Sequence, residues 1–193
     1  MPAQGSFILA VNHASFYDPP IAVCRFPRPV HFFARDTLFK GLFGKLIANL
    51  NAIPVKRDAD SDVSAIKRVL GLLRKGDSLL LFPEGTRTHD GNLQEAQRGI
   101  GMIACRTGVP ILPARIFGSY ESFGRNRKWP KIGQRMSIVY GELILPMEID
   151  PGGDHGTRYE TAADRVMRAI ARIRLPGSQE ACEHAEDAKR YII

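Results

Sequence analysis

No run of this chain reaches the about 20 consecutive apolar residues of a membrane-crossing helix, so nothing in it reads as a span. No apolar stretch of signal-peptide type follows Met1. Cysteine is scarce: Cys24, Cys105 and Cys182 stand far apart, with no CxxC pair. That excludes a disulfide framework and predicts reduced, mostly buried thiols in a cytosolic protein. His31, His89, His155 and His184 show no ligand spacing with them, so neither a metal nor a cofactor is expected. Tryptophan occurs once, and there is no internal repeat and no low-complexity tract. Acid is in the minority, with 20 Asp and Glu against 27 Lys and Arg, a net charge of +7. A basic surface suits anionic partners: phospholipid head groups, nucleic acid, or a phosphorylated substrate and carrier. No helix-turn-helix, zinc knuckle or RNP-like aromatic motif is present, so nucleic acid is not an expected partner.

What is present is an ordinary apolar fraction, 44% of 193 residues, enough for a single domain over 1–193. Short apolar runs alternate with helical patterns, which predicts an α/β fold: a central mixed sheet flanked by helices, with the active site at strand ends. Strands are expected at Phe7 to Val11, Val30 to Ala34, Ala52 to Val55, Ser78 to Phe82, Pro110 to Phe117 and Met136 to Tyr140. Helical spacing marks Leu38 to Leu50, Asp62 to Lys75 before Gly76, Gly99 to Thr107 before Gly108, and Ala162 to Ile173. Gly118 to Gly133 and Pro146 to Gly156 read as loops, and the tail beyond Pro176-Gly177 as a loose helix. The chemistry-bearing core thus lies at about 7–145 and a C-terminal helical segment at about 157–193.

Two strands run straight into polar motifs. The first gives Asn12-His13-Ala14-Ser15-Phe16-Tyr17-Asp18. Strand ends in open α/β sheets are where ligands bind. A histidine there can take a proton from a hydroxyl near neutral pH, and needs a carboxylate to fix its tautomer and stabilise the imidazolium. Asp18 is placed to fold back and serve. Ser15-x-x-Asp18 is equally a capping-box pattern, in which Asp18 only stabilises a helix start. Ser15 as nucleophile is disfavoured, because the Gly-x-Ser-x-Gly elbow is missing.

The second strand runs into Phe82-Pro83-Glu84-Gly85-Thr86-Arg87. Pro83 and Gly85 set a tight turn that would aim Glu84, Thr86 and Arg87 into one crevice. The planar fork of Arg87 suits a phosphate, and Glu84 suits a substrate hydroxyl or an arginine. A surface turn with a weak Glu–Arg ion pair is the competing reading.

Together, the two motifs resemble the glycerolipid acyltransferase family, in particular its 1-acyl-sn-glycerol-3-phosphate acyltransferases. Asn51-Ala52-Ile53-Pro54-Val55-Lys56-Arg57 is similar to that family's second block, and Val109-Pro110-Ile111-Leu112-Pro113-Ala114 to its fourth. The resemblance spans roughly Phe7 to Phe117 and continues to about Leu145. It implies that His13 is the general base, oriented by Asp18, and that the acceptor hydroxyl attacks a thioester directly with no acyl-enzyme. It implies that Glu84, Gly85, Thr86 and Arg87 bind the glycerol-phosphate part of the acceptor, with charge added by Arg57 and by Arg98. The implied reaction moves a fatty acyl group from acyl-CoA or acyl-carrier protein to lysophosphatidic acid, giving phosphatidic acid, with glycerol 3-phosphate or another lyso-lipid as the alternative acceptor. Only Met1 to Val11 precede Asn12, whereas many members carry a longer N-terminal section with membrane-contacting helices; the difference bears on membrane attachment and not on the chemistry.

The implied setting is cytoplasmic, peripheral on the inner face of a membrane. Leu38, Phe39, Leu42, Phe43, Leu46 and Ile47 form one stripe, with Lys40 and Lys45 off it. Such a helix lies in a bilayer interface or packs on the sheet. Arg125-Asn126-Arg127-Lys128-Trp129 suits lipid phosphates, an acidic carrier protein, or plain solvent. Three other functions stay open on the residues alone: a thioester hydrolase using His13 and Asp18, a basic binding module, and an inactive lipid-binding relative.

Overall fold

The computed structural model describes residues 4–24, 26–55, 62–153, 155–177 and 190–192. Its sheet is built around β1 (Ile8–Val11), in which every residue is buried. Alternation sends Ile8 and Ala10 into one layer with Leu79 and Ile111, and Leu9 and Val11 into the other with Leu80 and Leu112. A strand covered on both faces has no polar side, which is why the sequence shows an unbroken apolar run there.

The remaining strands are β2 (Val30–Arg35), β3 (Ala52–Val55), β4 (Ser78–Leu81), β5 (Ile111–Phe117), β6 (Ser137–Tyr140) and β7 (Arg190–Ile192). They lie in the order β3-β2-β4-β1-β5-β6-β7. The first five pair in parallel, and β6 and β7 add antiparallel edges. The α/β expectation with a mixed sheet is met. Helix α7 (His155–Arg172) ends before Pro176-Gly177; the tail read as a loose helix lies outside the described residues over 178–189, and its end, Arg190–Ile192, is a strand paired with β6.

Helix α1 (Asp18–Val23) packs Ile21, Ala22 and Val23 into the layer with Leu9. Helices α3 (Asp62–Arg74), α4 (Arg98–Thr107) and α7 bury Val69, Leu73, Ile100, Ile103, Val166 and Ile170 in the layer with Ile8. Gly101 lets α4 and α7 approach: a Cβ there would lie 1.9 Å from the Tyr159 carbonyl oxygen. Glycine's cost in a helix interior is offset by this close packing.

Three expectations need correction. The stripe from Leu38 to Leu50 is not one helix; a single 3-10 turn (Asp36–Leu38) precedes α2 (Gly41–Asn49). Two stretches read as loops contain short helices, α5 (Ser119–Phe123) and α6 (Pro146–Ile149). Cys24, expected among buried thiols, is exposed, with its S–H donating to the Ile21 carbonyl at 3.4 Å, while Cys105 is half-buried and Cys182 lies outside the described residues.

Candidate active site

The neighbours β4, β1 and β5 run parallel, so their C-terminal ends open on one edge of the sheet. The chain leaving β1 enters α1 on one face, and the chain leaving β4 enters α4 on the other. Loops that part in this way leave a crevice between them. His13 stands at the end of β1, and the turn from Phe82 to Arg87 at the end of β4.

Asn12 fixes the exit from β1. Its buried side-chain amide donates to the Ile116 carbonyl at 3.1 Å, and its oxygen accepts the Ile116 N–H at 2.7 Å. The amide thus continues the β1–β5 ladder through a side chain. The backbone of His13 is gripped next: its N–H donates to Glu84 Oε1 at 2.7 Å, and its carbonyl accepts the Thr88 N–H at 2.9 Å.

The imidazole lies on Phe82, with ring centroids 4.0 Å apart and planes at 18°. Its Nδ1 is 3.0 Å from Asp18 Oδ2. The same oxygen accepts the N–H groups of Ala14 and Ser15, each at 2.6 Å. A carboxylate only accepts hydrogen bonds, so in the neutral imidazole this pairing puts the ring proton on Nδ1 and leaves the lone pair on Nε2. The His13 side chain is 19% exposed and Asp18 not at all. Ser15 is not the helix N-cap; Tyr17 is. Its hydroxyl is occupied, donating to the Phe123 carbonyl at 2.9 Å and accepting the Tyr17 N–H at 3.1 Å. One oxygen of Asp18 thus holds the turn before α1 and lies against the histidine ring at the same time.

The second motif makes the expected tight turn: the Gly85 N–H donates to the Phe82 carbonyl at 3.0 Å with Pro83 between them. Gly85 has φ +69°, and a Cβ there would meet Gln97 Cγ at 2.9 Å. Glu84 is buried beneath the turn. Besides holding His13, it accepts the backbone and side-chain N–H groups of Gln94 at 3.1 and 3.2 Å. Burial pushes its carboxyl above the usual range, against the opposing pull of these donors. With both oxygens occupied by the protein, Glu84 is placed to brace the crevice rather than to line it.

Thr86 is exposed at the rim, and Arg87 is half-buried. The Arg87 guanidinium lies 3.5 Å from the centre of the Phe16 ring. Its Nη1 is buried without a hydrogen-bond partner among the described residues, as is Asp18 Oδ1. Desolvation and the neighbouring Arg125 lower its proton affinity, while Asp18 partly restores it. Arg125, beyond α5, donates to Thr86 Oγ1 at 3.2 Å and to the Arg87 carbonyl at 3.4 Å.

His13, Asp18, Glu84, Gly85, Thr86 and Arg87 thus meet at one edge of the sheet. Arg57 lies outside the described residues. Arg98 is turned towards α7, 3.4 Å from Glu160. Sequence reasoning gave no role to the aromatic platforms Phe16 and Phe82, although each lies inside one of the two motifs. It also missed Gln94, which no local pattern marks.

A profile of the acyltransferase family matches residues 1–117. A chloroplastic 1-acyl-sn-glycerol-3-phosphate acyltransferase of Brassica napus is 34% identical over 110 residues, 56% of this chain and 32% of that protein. The 1-acyl-sn-glycerol-3-phosphate acyltransferase of Bacillus subtilis is 29% identical over 146 residues, 75% of this chain and 69% of that protein. The crystal structure of the 1-acyl-sn-glycerophosphate acyltransferase of Thermotoga maritima matches with a TM-score of 0.66 at 27% identity, over 86% of this chain and 65% of that one. The match spans about a third of the length of the Brassica relative. Because the profile takes in more than half of the chain, including both strand ends that carry His13 and Arg87, the chain belongs to the acyltransferase family.

Proposed function

We propose that the chain transfers a fatty acyl group from acyl-CoA or acyl-carrier protein to the free hydroxyl of lysophosphatidic acid, giving phosphatidic acid. One observation carries the reading: a histidine oriented by a buried carboxylate at 3.0 Å shares its crevice with an arginine whose buried Nη1 lacks a partner among the described residues. His13 Nε2 takes the proton of the acceptor hydroxyl as its oxygen attacks the thioester carbonyl. The C–S bond then breaks, and the imidazolium gives the proton up to the leaving thiolate, which departs as free thiol and leaves His13 ready to act again. Arg87, stacked on Phe16, offers its fork to the acceptor phosphate. The names of the Brassica, Bacillus and Thermotoga relatives accord with this substrate.

The test is incubation with lysophosphatidic acid and palmitoyl-CoA, following thiol release and lipid product together. Phosphatidic acid formed in step with thiol supports the reading. Thiol without new lipid would point to hydrolysis, and activity only with acyl-carrier protein would settle the donor. Arg87→Ala is expected to raise KM for the phosphorylated acceptor by about tenfold or more, the scale of one charge-assisted hydrogen bond, with the donor KM little changed. Equal effects on both substrates would remove Arg87 from the phosphate.

The proposed setting is the cytoplasmic surface of a membrane. Among the described residues no helix is long and apolar enough to cross one. The α2 stripe divides between core and surface: Ile47 is 4% exposed, but Leu42 is 88% exposed beside the exposed Lys40 and Lys45. Leu42→Ser is expected to weaken binding to anionic vesicles about tenfold, as loss of one buried leucine implies, without lowering the melting temperature. A drop in melting temperature instead would place Leu42 in the core.

A further inference from the structure

From Gly124 to Tyr140 the sequence carries Arg125, Arg127, Lys128, Lys131 and Arg135 and no acidic residue. Within that stretch Trp129 is 82% exposed and Ile132 95% exposed. Large apolar side chains so far out in solvent contribute nothing to the core. The loop is nonetheless held in shape. The Arg127 N–H donates to the Gly124 carbonyl at 3.1 Å, and the Lys131 N–H to the Ser122 carbonyl at 2.8 Å. Its base adjoins the crevice, since Arg125 bonds to Thr86 and to the Arg87 backbone, and Asn126 donates to the His89 carbonyl at 3.2 Å.

We infer that the segment from Arg127 to Ile132 is a docking element for an anionic bilayer, setting the crevice against the surface that supplies its lipid. This rests on the lipid-acyltransferase reading above. Trp129 and Ile132 enter the interfacial layer, while Arg127, Lys128 and Lys131 meet lipid phosphates. An acidic carrier protein would account for the charges alone. The exposed indole and the Ile132 side chain, either side of Pro130-Lys131, favour a lipid interface. Docking here brings the acceptor's head group to the rim where Arg125 and Thr86 stand.

Trp129 is the only tryptophan, so intrinsic fluorescence reports this loop without labelling. The full chain is titrated with vesicles of mixed phosphatidylglycerol and phosphatidylcholine. The emission is expected to shift to the blue and to be quenched by lipids brominated high on the acyl chain. Replacing Arg127, Lys128 and Lys131 together with glutamine should weaken partitioning roughly a hundredfold, the joint effect of three interfacial charges. The Trp129→Ala, Ile132→Ser double variant should keep wild-type activity on a monomeric short-chain acceptor and lose about tenfold on acceptor held in vesicles. Co-sedimentation with vesicles at unchanged emission would overturn the inference, because contact is then made elsewhere. An emission shift with acyl-carrier protein but not with vesicles would overturn it in favour of a protein partner, and failure to bind vesicles at all would also overturn it. Inactivity of the wild-type chain on the monomeric acceptor would instead reject the acyltransferase reading, leaving the fluorescence result to be judged separately.

Discussion

Replacing His13 with alanine is expected to lower turnover by at least about a hundredfold, the ordinary worth of a general base, while the protein stays folded. The separation of the two effects follows from how the residue is held. The backbone of His13 is anchored by Glu84 and Thr88, and neither bond uses the imidazole. Asp18 Oδ2 keeps the N–H groups of Ala14 and Ser15 when the ring is gone. The loss is confined to the stack on Phe82, the Nδ1 hydrogen bond to Asp18 and the proton acceptor itself. Product formation from lysophosphatidic acid and palmitoyl-CoA, measured beside a thermal melt, checks both halves. Activity retained at an unchanged melting temperature would end the mechanism. A collapse of the melt would show that the ring is a structural part.

The sequence marked which residues meet in this site more clearly than it marked how the site is built. A histidine and an arginine-bearing turn that follow apolar strands are visible in the sequence, and parallel pairing of β1 with β4 is what joins them. Nothing local indicated that β1 and β4 would be neighbours, because that adjacency is set by the core on both faces of the sheet. Glu84 shows the limit: its motif offers a free carboxylate, but Gln94, brought back over the turn, takes one of its oxygens. The α2 stripe shows another. Periodicity places Leu42 and Ile47 on one face, yet a break near Phe39 and Lys40 lets the helix start late, and of these two Ile47 is buried while Leu42 stands in solvent. Some missed elements did leave a signal. Leu145-Pro146-Met147-Glu148 puts proline in the first turn and a glutamate that accepts the Leu145 N–H at 2.7 Å, a helix start hidden in a stretch read as loop. The edge strand Arg190–Ile192 left almost none, because three residues carry too little alternation to be read.

Asp18→Asn separates the two jobs that one side chain performs. Asp18 is fully buried and takes three donors on Oδ2, so alanine would strand those groups and confuse lost folding with lost chemistry. Asparagine presents the same shape. Its amide oxygen must occupy the Oδ2 position, because an NH2 group there would face the two backbone N–H groups. The turn therefore survives, at a cost of about 1–3 kcal/mol for weaker acceptance and a buried NH2. What disappears is the negative charge that stabilises the imidazolium formed as the acceptor hydroxyl loses its proton. That charge matters only once His13 is protonated, so the penalty falls on kcat, by about a hundredfold or more, with the acceptor KM little changed. The measurement is kcat and KM for the acceptor beside chemical denaturation of the same variant. If kcat holds while stability falls, Asp18 merely caps the turn before α1 and His13 works alone. If kcat falls far more than stability can explain, the carboxylate is part of the base.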